Sequence, residues 1–415
     1  MTIEADVLRW CGIYEEPAGS YQIDNSGTLA AFAHLPFEEG TLVAQLGREL
    51  LDPLAGKIRL DGHDKKVLGV RGCTLALSTM LASHGQDLDG DVAPVTKSTW
   101  ALLRVLQTVM GGSIATTDES AQTIVVVTGT STTVVEVTTG HGGRFEAGGV
   151  IGCQTVSGSS ALELREVLSV SGDLVSVKQA FSGTPVTGTP VRGGISVYLT
   201  EDSTSSLQAV IEGREATDGV VLRGLQGGFS LTLPVGGRGQ ITFALAGAGW
   251  ARLGASTPTT PVYVSVSPFA LVPLEVTVPT LGSTTRVVVP ESELAIEPQI
   301  VYAPQRSGAA TETIARMKRA PARPICRGSF VAPYEDDTWY EARDNRSDHA
   351  VFAQAGNLAG SCMLISLPTV QITDVQPAAS GEGNAGQRVS FEARHDEEIG
   401  GATEVGYSAL RLHFV

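Results

Sequence analysis

Charge is scarce in this chain, and positive charge is the scarcer sign. Charged residues make up 18% of its 415 residues, with 29 Lys and Arg against 44 Asp and Glu, for a formal net charge of −15. Nucleic-acid binding draws on clustered cations that replace counterions along the phosphates, so this balance argues against a protein that grips DNA or RNA. Cysteine is scarce too. Cys11, Cys73, Cys153, Cys326 and Cys362 are odd in number and widely spaced, with no Cys-x-x-Cys pair. That implies neither a disulfide framework nor a zinc site, and leaves reduced, buried thiols as the expectation. Trp10, Trp100, Trp250 and Trp339 are too scattered to form a sugar platform in sequence. No stretch approaches the roughly 18 apolar residues of a membrane helix. The first residues lack a basic region followed by an apolar run, so no signal peptide is expected, and synthesis in a cytoplasm is.

Motifs that carry chemistry are missing as well. The chain has no Gly-x-Ser-x-Gly elbow, no phosphate loop ending in Gly-Lys-Ser/Thr and no His-Glu-x-x-His. Gly381, Gly383 and Gly386 match the spacing of a dinucleotide fingerprint, but that chemistry needs a helix next, and Arg388-Val389-Ser390-Phe391-Glu392-Ala393 reads as strand. Asp87, Asp89 and Asp91 alternate like the start of a calcium loop. Val92 and Ser98 then stand where the loop requires Gly and Glu, so an acidic surface turn is expected.

Seven histidines (His34, His63, His84, His141, His349, His395 and His413) show no helical ligand spacing. His395-Asp396-Glu397-Glu398 is the densest titratable run and reads as a solvated loop. Arg316, Lys318, Arg319 and Arg323 form a small basic patch, better suited to salt bridges at a subunit contact than to nucleic acid. No catalytic, cofactor-binding or metal-binding residue emerges, and no cofactor or metal is expected. The chain reads as not an enzyme.

What is present is glycine, 48 residues of it, with valine and threonine crowding the middle. Branched residues suit pleated strands and glycine suits the turns between them, so a mainly β fold is expected. Leu68 to Leu81 alternates and reads as a strand, bulged where Gly69 and Gly72 disturb it. Between Pro36 and Leu60, Leu42, Leu46, Leu50 and Leu51 fall at partly helical spacing, giving a long connection with a short helix over 36–66. One helix is predicted over 98–110, capped by Thr96 or Ser98, with Trp100, Leu103, Leu106 and Met110 on one face and Gly111-Gly112 as its stop.

Val/Thr runs over 123–128 and 132–138 flank Gly129, followed by a glycine-rich hinge over 140–143. Leu162 to Val170 and Leu174 to Lys178 form a hairpin about Gly172-Asp173. A second hairpin pairs Phe229, Leu231 and Leu233 with Ile241, Phe243 and Leu245 across a glycine-rich turn. Strands are expected near 262–266, 273–278 and 286–289, then near 325–331, 349–354, 362–367, 387–394 and 407–414. The organisation is a core half over 1–112 with a long arm, an inserted β module over 113–194, of which 144–193 is the clearest part, and a second core half over 195–415.

Two stretches carry a resemblance. One runs from Gly219-Val220-Val221-Leu222-Arg223-Gly224 to Trp250 around the turn at 234–239. The other joins Phe352-Ala353-Gln354-Ala355-Gly356, Met363-Leu364-Ile365-Ser366-Leu367-Pro368, Val389-Ser390-Phe391-Glu392-Ala393 and Ala409-Leu410-Arg411-Leu412-His413-Phe414. In order and composition these resemble bacteriophage tail tube (major tail) proteins. The match covers about half of the chain, contains no sharp motif, and the insertion departs from a minimal tube subunit.

The resemblance implies a β-sandwich or barrel core with one flanking helix, a structural virion protein assembled in the host cytoplasm, and a place in the virion tail. It implies self-association into six-membered rings stacked as a tube through which DNA passes without specific binding. Sheath, tape-measure, baseplate and tail-terminator proteins would be partners. Residues 36–66 would reach the next ring. An acidic subunit suits a lumen that DNA must slide through. The alternatives are another tail, baseplate or adhesin protein that binds a receptor, or a β-sandwich glycoside hydrolase with two carboxylates at fixed separation.

Overall fold

The computed structural model describes residues 2–3, 8–16, 33–38, 41–51, 67–83, 100–115, 124–127, 131–200, 206–213, 220–234, 238–252, 267–268, 274–280, 283–289, 293–306, 314–319, 325–334, 337–379, 385–395 and 408–415. The fold is mainly β, built from large antiparallel sheets with two helices among the described residues.

Its first half supplies strands β1 (Leu8–Glu16), β2 (Val43–Leu51) and β3 (Val67–Met80), helix α1 (Ala101–Met110) and β4 (Gly111–Ala115). A four-stranded sheet follows from β5 (Val134–Glu136), β6 (Val150–Cys153), β7 (Glu163–Ser171) and β8 (Leu174–Val177). The chain then returns through β9 (Ile195–Leu199), β10 (Ser206–Gly213), β11 (Val220–Leu233), β12 (Gln240–Gly247), β13 (Leu294–Gln299) and β14 (Ile325–Pro333). Helix α2 (Thr338–Asn345) precedes β15 (Asp348–Leu358), β16 (Ser361–Ala379), β17 (Ala385–Arg394) and β18 (Arg411–Phe414).

One antiparallel ladder runs β2, β3, β12, β11, β13, β14, β17, β16, β18, β9, β4. Two long strands turn it. The first half of β11 pairs with β10 and its second half with β12 and β13, while the first half of β16 pairs with β18 and its second half with β17. The hairpin of alternating apolar residues forms as expected, with Phe229 opposite Phe243 and Leu231 opposite Ile241. In the β2–β3 pair, Arg48 faces Arg71 and Leu50 faces Leu68, so β3 carries one extra residue at Gly69-Val70, the expected bulge.

The run from Leu42 to Leu51 corrects the expectation of a connection with a short helix. Its spacing of four also satisfies a period of two, and Leu42, Ala44 and Leu46 are buried while Gln45 is exposed. The backbone hydrogen-bonds to β3 instead of to itself. Residues 52–66 lie outside the described residues, as do the expected helix caps Thr96 and Ser98 and the strand near 262–266.

Helix α1 stops as expected, at Gly111 in the left-handed region (φ 94°), whose N–H donates to the Gln107 carbonyl. It differs in its environment. All ten of its residues are buried, including Arg104, Gln107 and Thr108. Strands β1, β4, β9, β10 and β11 all pack against it, so it fills the interior of the folded sheet instead of covering one face. Trp100 meets Phe414 edge-on at 4.9 Å. Helix α2 is a further correction to the expectation of one helix. Its polar sequence TWYEARDN gives no apolar stripe, yet Trp339 and Ala342 are buried and Trp339 packs against Phe330 at 5.2 Å.

The small sheet has its own core, with Val126, Val135, Ile151, Val167, Val175 and Phe181 at its centre. β4 and β9, which bracket it in sequence, pair with each other in the large sheet, so the excursion begins after Ala115. The β7–β8 hairpin turns at Gly172, φ 60°. The 140–143 run is pinned and is not a hinge. Asp173 Oδ1 accepts hydrogen bonds from the N–H groups of Gly140 (2.9 Å) and Gly142 (3.1 Å), and a Cβ on Gly142 would collide with the Gly172 carbonyl. Those N–H groups hold the Asp173 carboxyl below its ordinary pKa.

Candidate functional site

Period-two alternation on the closing strands decides what meets what. Leu410, Leu412 and Phe414 belong to the main core, as do Met363, Ile365 and Leu367 of β16, Val197 and Leu199 of β9, and Val351, Ala353 and Ala355 of β15. The intervening side chains point to the opposite face. There, Phe352, Cys362, Leu364 and Val415 pack against Val150, Leu162 and Leu164 of the small sheet. This part of the large sheet is therefore covered on both faces, by the main core and by the small sheet.

Polar residues stitch the seam. Gln354 Nε2 donates to the Leu162 carbonyl (2.8 Å), its Oε1 accepts from the Leu164 N–H (2.9 Å), and the Leu162 N–H donates to the Asn357 carbonyl (2.7 Å). At the centre, Glu166 from β7 reaches the large sheet. Arg411 Nη1 donates to Glu166 Oε1, and Ser366 Oγ donates to Glu166 Oε2. Register explains the set: on β18, Arg411 stands opposite Ser366 of β16, and His413 opposite Ser196 of β9. His413 Nδ1 is hydrogen-bonded to Ser196 Oγ at 2.7 Å, while Nε2 lies 4.0 Å from Glu166 Oε2 and makes no hydrogen bond. Glu166, Arg411, His413, Ser366 and Ser196 have no exposure to solvent. Burial pushes the His413 pKa down to about 4, with Arg411 acting in the same direction and Glu166 against it.

Ser, His and Glu in this order of contact resemble a hydrolytic triad by type, but every member is sealed between two sheets. What the arrangement does in this state is neutralise one buried charge with another and fix the small sheet in register on the large one. Sequence reasoning passed over Glu166, Arg411, Ser196 and Ser366. The available signal was polar side chains spaced by two on strands whose other face is strongly apolar, and that pattern ordinarily marks a solvated face.

Of the residues singled out from sequence, some lie on separate strands and others lie outside the described residues. Gly386 lies in β17 opposite Pro333 and Ala378, with strand and no helix after it, while Gly381 and Gly383 are outside the described residues. Asp87, Asp89, Asp91, His63, His84, Asp396, Glu397, Glu398 and Arg323 are outside them too. His395 ends β17. Arg316, Lys318 and Arg319 sit on the strand Ile314–Arg319, opposite Gln305, Ala303 and Tyr302.

Cys73, Cys153, Cys326 and Cys362 are buried free thiols, and burial raises Cys73 to about 11 and lifts Cys153 and Cys326 further. Among the described residues, no group of three or more His, Cys, Asp or Glu is placed to hold a metal ion. No described helix is long and apolar enough to cross a membrane. No protein-family model matches the chain, and no curated protein matches its sequence.

Proposed function

We propose that this protein is a non-catalytic structural subunit that self-assembles, of the bacteriophage tail tube kind. The observation that carries the reading is where the resembling residues fall. The described residues of 219–250 fall mainly on β11, β12 and the strand Gly249–Arg252, and those of 352–414 mainly on β15 to β18. β11, β12, β16, β17 and β18 are five of the eleven strands of the long ladder, and β15 pairs with β16 beside it.

A rigid, doubly covered sheet suits a part whose work is to hold shape. In this reading six copies close into a ring, rings stack, and the acidic surface keeps DNA moving through the channel. Sheath, tape-measure, baseplate and terminator proteins are the expected partners, and the virion tail is its place. Negative-stain microscopy of the purified protein tests the reading. Long hollow tubes support it. Discrete particles at concentrations that favour assembly contradict it.

A further inference from the structure

We infer that the Glu166–Arg411–His413 cluster is an acid-sensitive latch that holds the small sheet on the large one. Three placements carry the inference. Glu166 belongs to the small sheet and its partners belong to the large one. The cluster is sealed from water. His413 is held there with Nδ1 on Ser196 and with Nε2 lacking a hydrogen bond, 4.0 Å from the Glu166 carboxylate.

With His413 neutral, the Glu166 carboxylate and the Arg411 guanidinium form an ion pair sealed from water. A proton on His413 adds an imidazolium beside Arg411 in that sealed site. Among the described residues, the charged groups beside His413 are Glu166 from β7 and Arg411 from its own strand; β16 and β9 contribute the neutral hydroxyls of Ser366 and Ser196. Adding a charge to a site closed to water is costly, and access to water relieves that cost.

The seam is where water enters at least cost. It rests on a small apolar cluster and on the contacts of Gln354 and Leu162, whereas each sheet keeps its own core and its own backbone ladder. Separation leaves both sheets folded and exposes the faces that carried Phe352 and Leu364 on one side and Val150 and Leu164 on the other. The lowered pKa of His413 agrees in sign: the docked state resists the proton and the undocked state accepts it, so docking weakens as pH falls from about 6.5 towards about 4.

Amide hydrogen exchange read by mass spectrometry from pH 7 to pH 4, corrected for intrinsic rates, tests this on the full chain. Exchange at the C2–H of His413 reports its titration in the same samples. The expected result is loss of protection by about tenfold or more across residues 161–165, with 174–178 and 226–233 still protected, at the pH where His413 titrates. His413→Gln should keep 161–165 protected throughout. Simultaneous loss in all three segments, a release that does not track His413, or release of H413Q at the wild-type pH overturns the latch. If H413Q does not fold, the coincidence of release with His413 titration in the unaltered chain decides alone.

Discussion

Glu166 and Arg411, 245 residues apart in the chain, form an ion pair with neither side chain exposed to solvent. The pair fixes where one sheet lies on another, and its energetics are asymmetric. Removing one member leaves the other charged and buried, which costs about 3–5 kcal/mol, while replacing both with apolar side chains is close to neutral. Glu166→Ala is therefore expected to lower unfolding stability by that amount in denaturant titrations. Glu166→Leu combined with Arg411→Met is expected to recover most of it. Additive losses in the double variant would show that the two residues do not act as a pair.

His349 offers a separate prediction about pH. It is buried beside Trp339 at 6.4 Å, neither ring nitrogen has a hydrogen-bond partner, and burial lowers its pKa. A histidine with a lowered folded pKa stays neutral in the native state while the unfolded chain takes up the proton below about 6.5. Stability is thus fully present above that value and falls as pH drops, by at most about 1.4 kcal/mol per pH unit for each such group. His349→Leu removes the unpaired polar ring and one titrating group. It is expected to be neutral or stabilising at pH 7 and to flatten the decline between pH 6.5 and 5 in thermal melts. An unchanged decline would show that His349 does not contribute.

Gly142 and Asp173 hold the small sheet's turn together. Gly142→Ala drives a methyl group into the Gly172 carbonyl, and forced overpacking of that kind costs about 1–3 kcal/mol. Asp173→Ala loses the acceptor for two backbone N–H groups and is expected to have a smaller effect in the same direction. Exchange protection of β5 and β8 reads both, and the β11–β12 hairpin should be unaffected by either.

The fold was legible wherever one face of a strand is buried and the other is wet. Phe229, Leu231 and Leu233, and Ile241, Phe243 and Leu245, announce their hairpin through alternation with small or polar residues. Gly172 marks the turn of another, and Gly111 the end of α1. Elements enclosed on all sides were harder to read. Leu42, Leu46 and Leu50 satisfy a helical and a strand period equally, and only the partner strand 67–80 decides between them. Arg104, Gln107 and Thr108 look like the wet side of α1 because nothing local says that β1 and β4 close over the helix. The polar seam was invisible for the same reason. Arg411 and His413 alternate with Leu410, Leu412 and Phe414 as a half-exposed strand would, and the sheet that covers them comes from residues 150–166.

Self-assembly is the central functional claim, and imaging the purified full-length protein tests it most directly. Electron microscopy across a concentration series at neutral pH, with image averaging down the particle axis, should show hollow tubes of stacked six-membered rings. Uniform single subunits at every concentration, with no rings or tubes, would contradict it.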